Sequence, residues 1–311
     1  MTVSCADAKA GTPSVAVRVF PARIALVLIF AATLAGCSGG VLDPRGPVGG
    51  ANALILFDAV AIMCVIVVPT LLAVLWCAWW FRAGNTGAQF QPDFVYSGRI
   101  ELLVWSIPLL VIMFLGGVIW VGSHELDPYR PIASPTKPLE VQVISLDWKW
   151  LFIYPDQGIA AVNELVVPVG RPLRFRLTSG SVMTAFFIPQ LGSMIYTMNG
   201  MVTQLNLRAD RPGTYLGLAS HYSGDGFSDM RFDTRVVPPA AFAAWVAAAK
   251  SAGPVLDAPT YKALSRQSQK LAPYTYRAAT PGLFEQVATQ QLPPGPGPQG
   301  GGSSPKSERA P

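Results

Sequence analysis

The stretch GLASHYSGDGFSDM, residues 217–230, has the glycines, the serines and the closing methionine of a metal-binding loop, but no cysteine. Its only imidazole is His221 and its only thioether is Met230. One neutral imidazole and one thioether do not make a metal site, and a lone loop histidine more commonly stands at a surface or an interface. Elsewhere, Glu101 is the one ionisable group carried into an apolar stretch near residues 100–121, and Asp58 is the single acid of another. By position alone Glu101 is either an interfacial acid paired with Arg99 or a functional group, since ionisable residues inside a membrane are costly and commonly have a role. No Ser-His-Asp arrangement, phosphate-cradling glycine loop or pair of carboxylates stands out.

These residues sit in a chain of 311 residues that is 51% hydrophobic and only 13% charged. A soluble domain carries about a quarter charged residues, so membrane segments are expected. The net charge of +5 is spread out, and no Lys/Arg run is interleaved with aromatics, so nucleic acid is not an expected partner. Of the four cysteines, Cys5 lies near the N-terminus and Cys64 and Cys77 lie in an apolar run. Cys37 ends LAGC, after a basic region (Arg18, Arg23) and an apolar core too short for a stable span. Residues 1–36 therefore read as an export signal. The LAGC stretch resembles the lipobox of bacterial lipoproteins, which makes Cys37 a candidate lipidated mature N-terminus. No cysteine follows residue 77, so that part holds neither a disulfide nor a thiolate metal site.

The elements follow from hydropathy. Residues 54–81 form one transmembrane helix, with Pro69 as a kink point and Trp76, Trp79 and Trp80 as an interfacial belt. A second span runs from about Ile100 to Val121, giving a hairpin over 54–122 after a periplasmic segment at 37–53. The connection carries Arg82 and Arg99 against Asp93, which puts it in the cytoplasm and both ends of the mature chain in the periplasm. From 138 to 238 short alternating runs are broken by Gly and Pro, as in an all-β sandwich. Residues 239–290 read as a helical region and 291–311, rich in Pro, Gly and Ser, as a disordered tail.

Several motifs together resemble subunit II of the haem–copper terminal oxidases: DWKW at 147–150, RIELLVWSIPLL in the second span, VMTAFFIPQLG, and RPGTYLGLASHYSGDGFSDM. The resemblance covers residues 50 to about 240 in order. It implies a membrane hairpin followed by a cupredoxin-like β-sandwich. In the cytochrome c-oxidising members, two bridging Cys, two His, a Met and a backbone carbonyl hold two copper ions. In this sequence the His positions carry Thr184 and Phe227, the Cys positions carry Ala219 and Ser223, the carbonyl belongs to His221, and only Met230 survives. A cupredoxin domain without copper marks the quinol oxidases, and VMTAFFIPQLGSMIYTMNGM with SHYSGDGFSDM is similar to the bo-type ubiquinol oxidases of proteobacteria.

The resemblance implies a non-catalytic subunit II of a proton-translocating ubiquinol:oxygen oxidoreductase in the bacterial inner membrane. It binds no metal or cofactor itself. The haems and one copper belong to subunit I, which with other subunits, membrane lipid and ubiquinol is the expected partner set; cytochrome c is not. It also places Glu101 at the cytoplasmic mouth of a proton channel in subunit I, as a proton-uptake candidate. Trp148 matches the aromatic through which electrons enter the copper-bearing relatives, and its expected role here is packing. A menaquinol oxidase subunit, a cytochrome c oxidase subunit, or a non-oxidase lipoprotein with a protein-binding sandwich remain as other readings.

Overall fold

The computed structural model describes residues 40–89 and 92–297. The export-signal segment, Cys37 and the last part of the tail lie outside the described residues.

Two long helices come first, α1 (Pro47–Trp80) and α2 (Gly98–Glu125). Both are long and apolar enough to cross a bilayer, and their most apolar windows are uncovered within the chain. The first helix starts at Pro47 rather than at residue 54. Proline suits a first helical turn because its missing N–H has no partner there anyway. The added turns dock on the sandwich instead of entering the membrane, which hydropathy does not register. The Gly49 N–H donates to Leu191 O at 2.9 Å and the Arg45 N–H to Gln190 O at 2.7 Å. A side chain on Gly49 would begin 2.8 Å from Gln190 O, so the close approach requires glycine. The helix runs on through Pro69, where the Thr70 hydroxyl donates to Ile66 O at 2.8 Å.

The sandwich is built from β1 (Leu139–Leu146), β2 (Lys149–Tyr154), β3 (Ile159–Val162), β4 (Glu164–Pro168) and β5 (Pro172–Ser179). It continues with β6 (Thr184–Phe187), β7 (Ile195–Thr197), β8 (Thr203–Arg208), β9 (Gly213–Ala219) and β10 (Arg231–Val237). After it come α3 (Pro239–Ser251), β11 (Val255–Leu256), α4 (Ala258–Leu264), β12 (Tyr274–Tyr276), β13 (Ala278–Ala279) and α5 (Leu283–Ala288). One sheet has the order β12-β3-β2-β1-β5-β8 and the other β4-β10-β9-β6-β7, with a small β11-β13 pair apart.

The space between the sheets is filled by aromatic rings. Trp150 and Phe152 of β2, Phe186 of β6 and Phe232 of β10 pack with centroids 5.0–6.4 Å apart, in the edge-on and offset geometries that ring quadrupoles favour. The other face of the same sheet is covered as well. Ile144, Leu146, Leu151 and Ile153 are buried against Tyr261, Leu264, Phe284 and Val287 of the C-terminal region. Every residue of β2 is buried, so WLFIY reads as a continuous apolar run rather than an alternating one.

Two expectations need correcting. The region 239–290 is not simply helical: only α3 follows the Ala-rich helical pattern, while β12 adds an edge strand, with Tyr274 paired to Val162 and Tyr276 to Ala160. Tyr and Thr suit that pleated position, but three residues are too few for a periodicity to show. Nor is the tail featureless from residue 291. The Gly295 N–H donates to Gly180 O at 2.7 Å and the Gly297 N–H to Asp147 Oδ2 at 3.2 Å, so the chain stays docked on the sandwich to residue 297.

Candidate functional site

The loop between β9 and β10 closes one end of the sandwich, and its ends are joined by ladder bonds. The Ala219 N–H donates to Met230 O and the Ser220 N–H to Ala185 O, both at 3.0 Å. β6 lies beside β9, with Phe186 opposite Ala219, which brings Thr184 to the mouth of the loop. The structure thus brings Thr184, from another strand, against the loop residues Ala219, His221, Ser223 and Met230.

Their polar atoms are turned on one another. The Thr184 hydroxyl donates to His221 O at 3.1 Å, and the Ser223 hydroxyl reaches Met230 Sδ at 4.0 Å. Thr184, Ala219, Ser223 and Met230 are all buried. The half-buried His221 ring meets Tyr196 edge-on, centroids 5.6 Å apart. Phe227 meets Tyr222 in the same way at 5.7 Å and packs on the inter-sheet core.

The loop is held from below by the two-residue turn between β1 and β2, Asp147 and Trp148, set by the pairing of Leu146 with Lys149. Trp148 has φ +61°, an uncommon backbone region for a bulky residue. Its indole Nε1 donates to Ser223 O at 3.1 Å, and its ring fills the space that a side chain on Gly226 would enter. The flanking residues reach the other way, toward the C-terminal region. Buried Lys149 donates through Nζ to Arg266 O at 2.5 Å and Ser268 Oγ at 2.7 Å. Asp147 accepts from the Ser181 hydroxyl and from the Gly297 N–H. Burial lowers the Lys149 ammonium to about 8, with the Asp147 carboxylate opposing that shift. The Asp147–Lys149 clamp was not singled out from the sequence. The only signal was the charge pair flanking Trp148 in DWKW, a motif whose aromatics draw attention first.

Glu101 is not part of this assembly. It lies in the first turn of α2, at the end of the hairpin opposite the sandwich, with an exposed side chain. Among the described residues it makes no ion pair, with Arg99 or any other group. Asp58 is exposed on α1. Cys37 lies outside the described residues.

Residues 156–237 match the family model for the periplasmic domain of cytochrome c oxidase subunit II. Over 274 residues the chain is 48% identical to ubiquinol oxidase subunit 2 of Acetobacter aceti, covering 86% of this chain and 89% of that one. The chain belongs to the ubiquinol oxidase subunit II family. Another member, cytochrome bo(3) ubiquinol oxidase subunit 2 of Pseudomonas aeruginosa, is 44% identical over 85% of this chain and 80% of its own length. Quinol oxidase subunit 2 of Bacillus cereus is 31% identical over 73% of this chain and 79% of its own. Among solved structures, the periplasmic domain of cytochrome oxidase subunit II of Bradyrhizobium japonicum is 28% identical, with a TM-score of 0.37 over 38% of this chain and 98% of that one. As a member of that family, the chain carries two helices long and apolar enough to span a membrane and a cupredoxin-like periplasmic domain.

Proposed function

We propose that this chain serves as the structural subunit II of a ubiquinol:oxygen oxidoreductase that moves protons outward across the bacterial inner membrane, and that it holds no metal of its own. The observation that carries the reading is the state of the copper-loop positions. A binuclear copper centre needs deprotonated sulfur and neutral imidazole. The side chains gathered here offer two hydroxyls, a methyl and one thioether, and the His221 carbonyl is already bonded to Thr184. Among the described residues no three His, Cys, Asp or Glu side chains converge as a metal site. The residues present do not fit the two-copper centre that the resemblance attributes to the cytochrome c-oxidising members.

A subunit without a metal relay contributes by packing and positioning. The uncovered faces of α1 and α2 suit the helices of the haem-bearing subunit I. Exposed Met194, Tyr196 and Tyr222 around the loop suit the periplasmic side of the same partner. Ser193, beside Met194, is tied to Asn52 of α1 at 3.0 Å, so this part of the sandwich lies close to the membrane. Within the reading, Glu101 takes up protons at the cytoplasmic entry, and Cys37 carries lipid at the periplasmic surface. The 48% identity to a subunit named for ubiquinol supports ubiquinol as the donor.

The test is to purify the complex through this chain and measure metals, haem and oxygen uptake. Uptake is expected with ubiquinol and not with reduced cytochrome c, with a single copper per complex. Two further coppers, or activity with cytochrome c alone, would overturn the assignment.

A further inference from the structure

Where the hairpin meets the sandwich, a cavity of about 210 Å³ opens between the head of α1 at Pro47 and Val48, the end of α2 at Glu125, Arg130 in the link that follows, and Ser193 and Leu205 of the sandwich. That is below the ~300–1,000 Å³ typical of sites that engulf a whole small molecule. The link is firmly set: both the backbone N–H and the side-chain Nδ2 of Asn206 donate to Pro128 O at 3.0 Å. Asp127 is occupied within its own turn, its carboxylate accepting the Tyr129 N–H and its carbonyl the Arg130 N–H, each at 2.9 Å. Glu125 and Arg130 are different. Both are exposed, and neither forms an ion pair with any described residue.

The depth of the cavity points to its occupant. It lies at the sandwich-side ends of both spans, one turn beyond Trp120, whose ring His124 meets at a tilt with centroids 4.5 Å apart. Tryptophan at a span end marks the headgroup level. We propose that this cavity binds the headgroup of a phosphatidylethanolamine from the periplasmic leaflet, its phosphate on Arg130 and its ammonium on Glu125. Guanidinium matches a phosphate with two parallel N–H donors, and a primary ammonium donates to a carboxylate. The zwitterion answers both free charges at once, and its acyl chains continue down the uncovered apolar flank of α1 and α2. Phosphatidylglycerol offers Glu125 only neutral glycerol hydroxyls and leaves its charge uncompensated, and phosphatidylcholine has no N–H to give.

The full chain, purified with whatever assembly it brings, is stripped with detergent, and retained lipid is counted by native mass spectrometry before and after refilling from vesicles of one lipid class. The wild type is expected to keep about one phosphatidylethanolamine per chain, and Glu125→Gln and Arg130→Gln each to weaken retention by about tenfold or more. Arg130→Lys, which keeps the charge, should recover part of it. Phosphatidylglycerol and phosphatidylcholine vesicles should not refill the site. A photoreactive group in place of Ile132, which also lines the cavity, should label phosphatidylethanolamine. Unchanged retention in both Gln variants, equal refilling by phosphatidylglycerol, or labelling of residues 37–39 or another subunit would overturn the proposal.

Discussion

Two ionisable residues carry opposite kinds of consequence. Lys149 is buried and bonded, and its charge is costly there. A base whose folded-state pKa falls to about 8 from 10.5 is charged in both states below pH 8, where the burial cost is felt in full. Between those values the unfolded chain binds the extra proton, so stability rises with pH. The gain reaches at most about 3 kcal/mol. Buried tyrosines act in reverse at higher pH: burial raises the Tyr154, Tyr261 and Tyr276 phenols, which makes ionisation favour the unfolded chain. The clean window is therefore about pH 7 to 9. Denaturant melts of the wild type should shift upward across it relative to Lys149→Met, whose profile should be flatter. Parallel profiles would mean that the ammonium is solvated. Glu101, by contrast, is exposed and unpaired among the described residues, so stability should not register its loss. If it feeds protons to the partner, Glu101→Ala lowers oxygen turnover and proton pumping severalfold in an assembled complex with full haem content, while Glu101→Asp retains more. Unchanged turnover and pumping would end that proposal.

At the scale of elements, the C-terminal region is a third layer rather than an appendage. β1, β2 and β3 are buried on both faces only because α4, α5 and Leu256 of β11 cover the side away from the sandwich core. A chain cut after Val237 would expose Ile144, Leu151, Ile153 and Val162 together and leave Lys149 and Asp147 without their partners at Arg266, Ser268 and Gly297. Such a patch is the kind that drives association. The truncated chain should aggregate or lose its cooperative melt by circular dichroism, whereas removal of residues 298–311 alone should leave the melt unchanged. The sequence showed the apolar spans and the sandwich strands clearly, because hydropathy and turn residues report local structure. The copper-loop correspondence is of another kind, since it comes from the family pattern on which the resemblance lays these residues and not from any local physical signal. What the sequence could not show was contact between distant segments: the docking of Gly49 on Gln190, the edge pairing of Tyr274–Tyr276, or the bond from Thr184 to His221 O. Each depends on a partner far along the chain that no local pattern names.

For the whole molecule, the two halves answer to different solvents. The hairpin leaves its apolar faces uncovered within the chain, so lipid or partner helices must supply the cover. The sandwich with its C-terminal layer has a core between the sheets and another beneath the third layer, which is what an independent folding unit requires. Few bonds tie the halves together: Arg45 and Gly49 to the 190–191 turn, the Gln190 amide to Asp43, Asp210 to Arg45 O, Asn52 to Ser193 and Asn206 to Pro128. With Val48 packed on the sandwich core, they fix the orientation of the domain over the hairpin. A fragment of residues 134–297 should therefore be soluble and monomeric by size-exclusion chromatography, with one cooperative thermal transition. It should carry no copper after exposure to the ion, since the loop's hydroxyls and carbonyl remain bonded to one another. Full-length chain made without its partners should require detergent throughout. A fragment that is unfolded on its own would mean that the hairpin contacts, or the partner subunit, complete the core. A folded fragment would confine the role of partners to the membrane faces and to the exposed rim at Met194, Tyr196 and Tyr222.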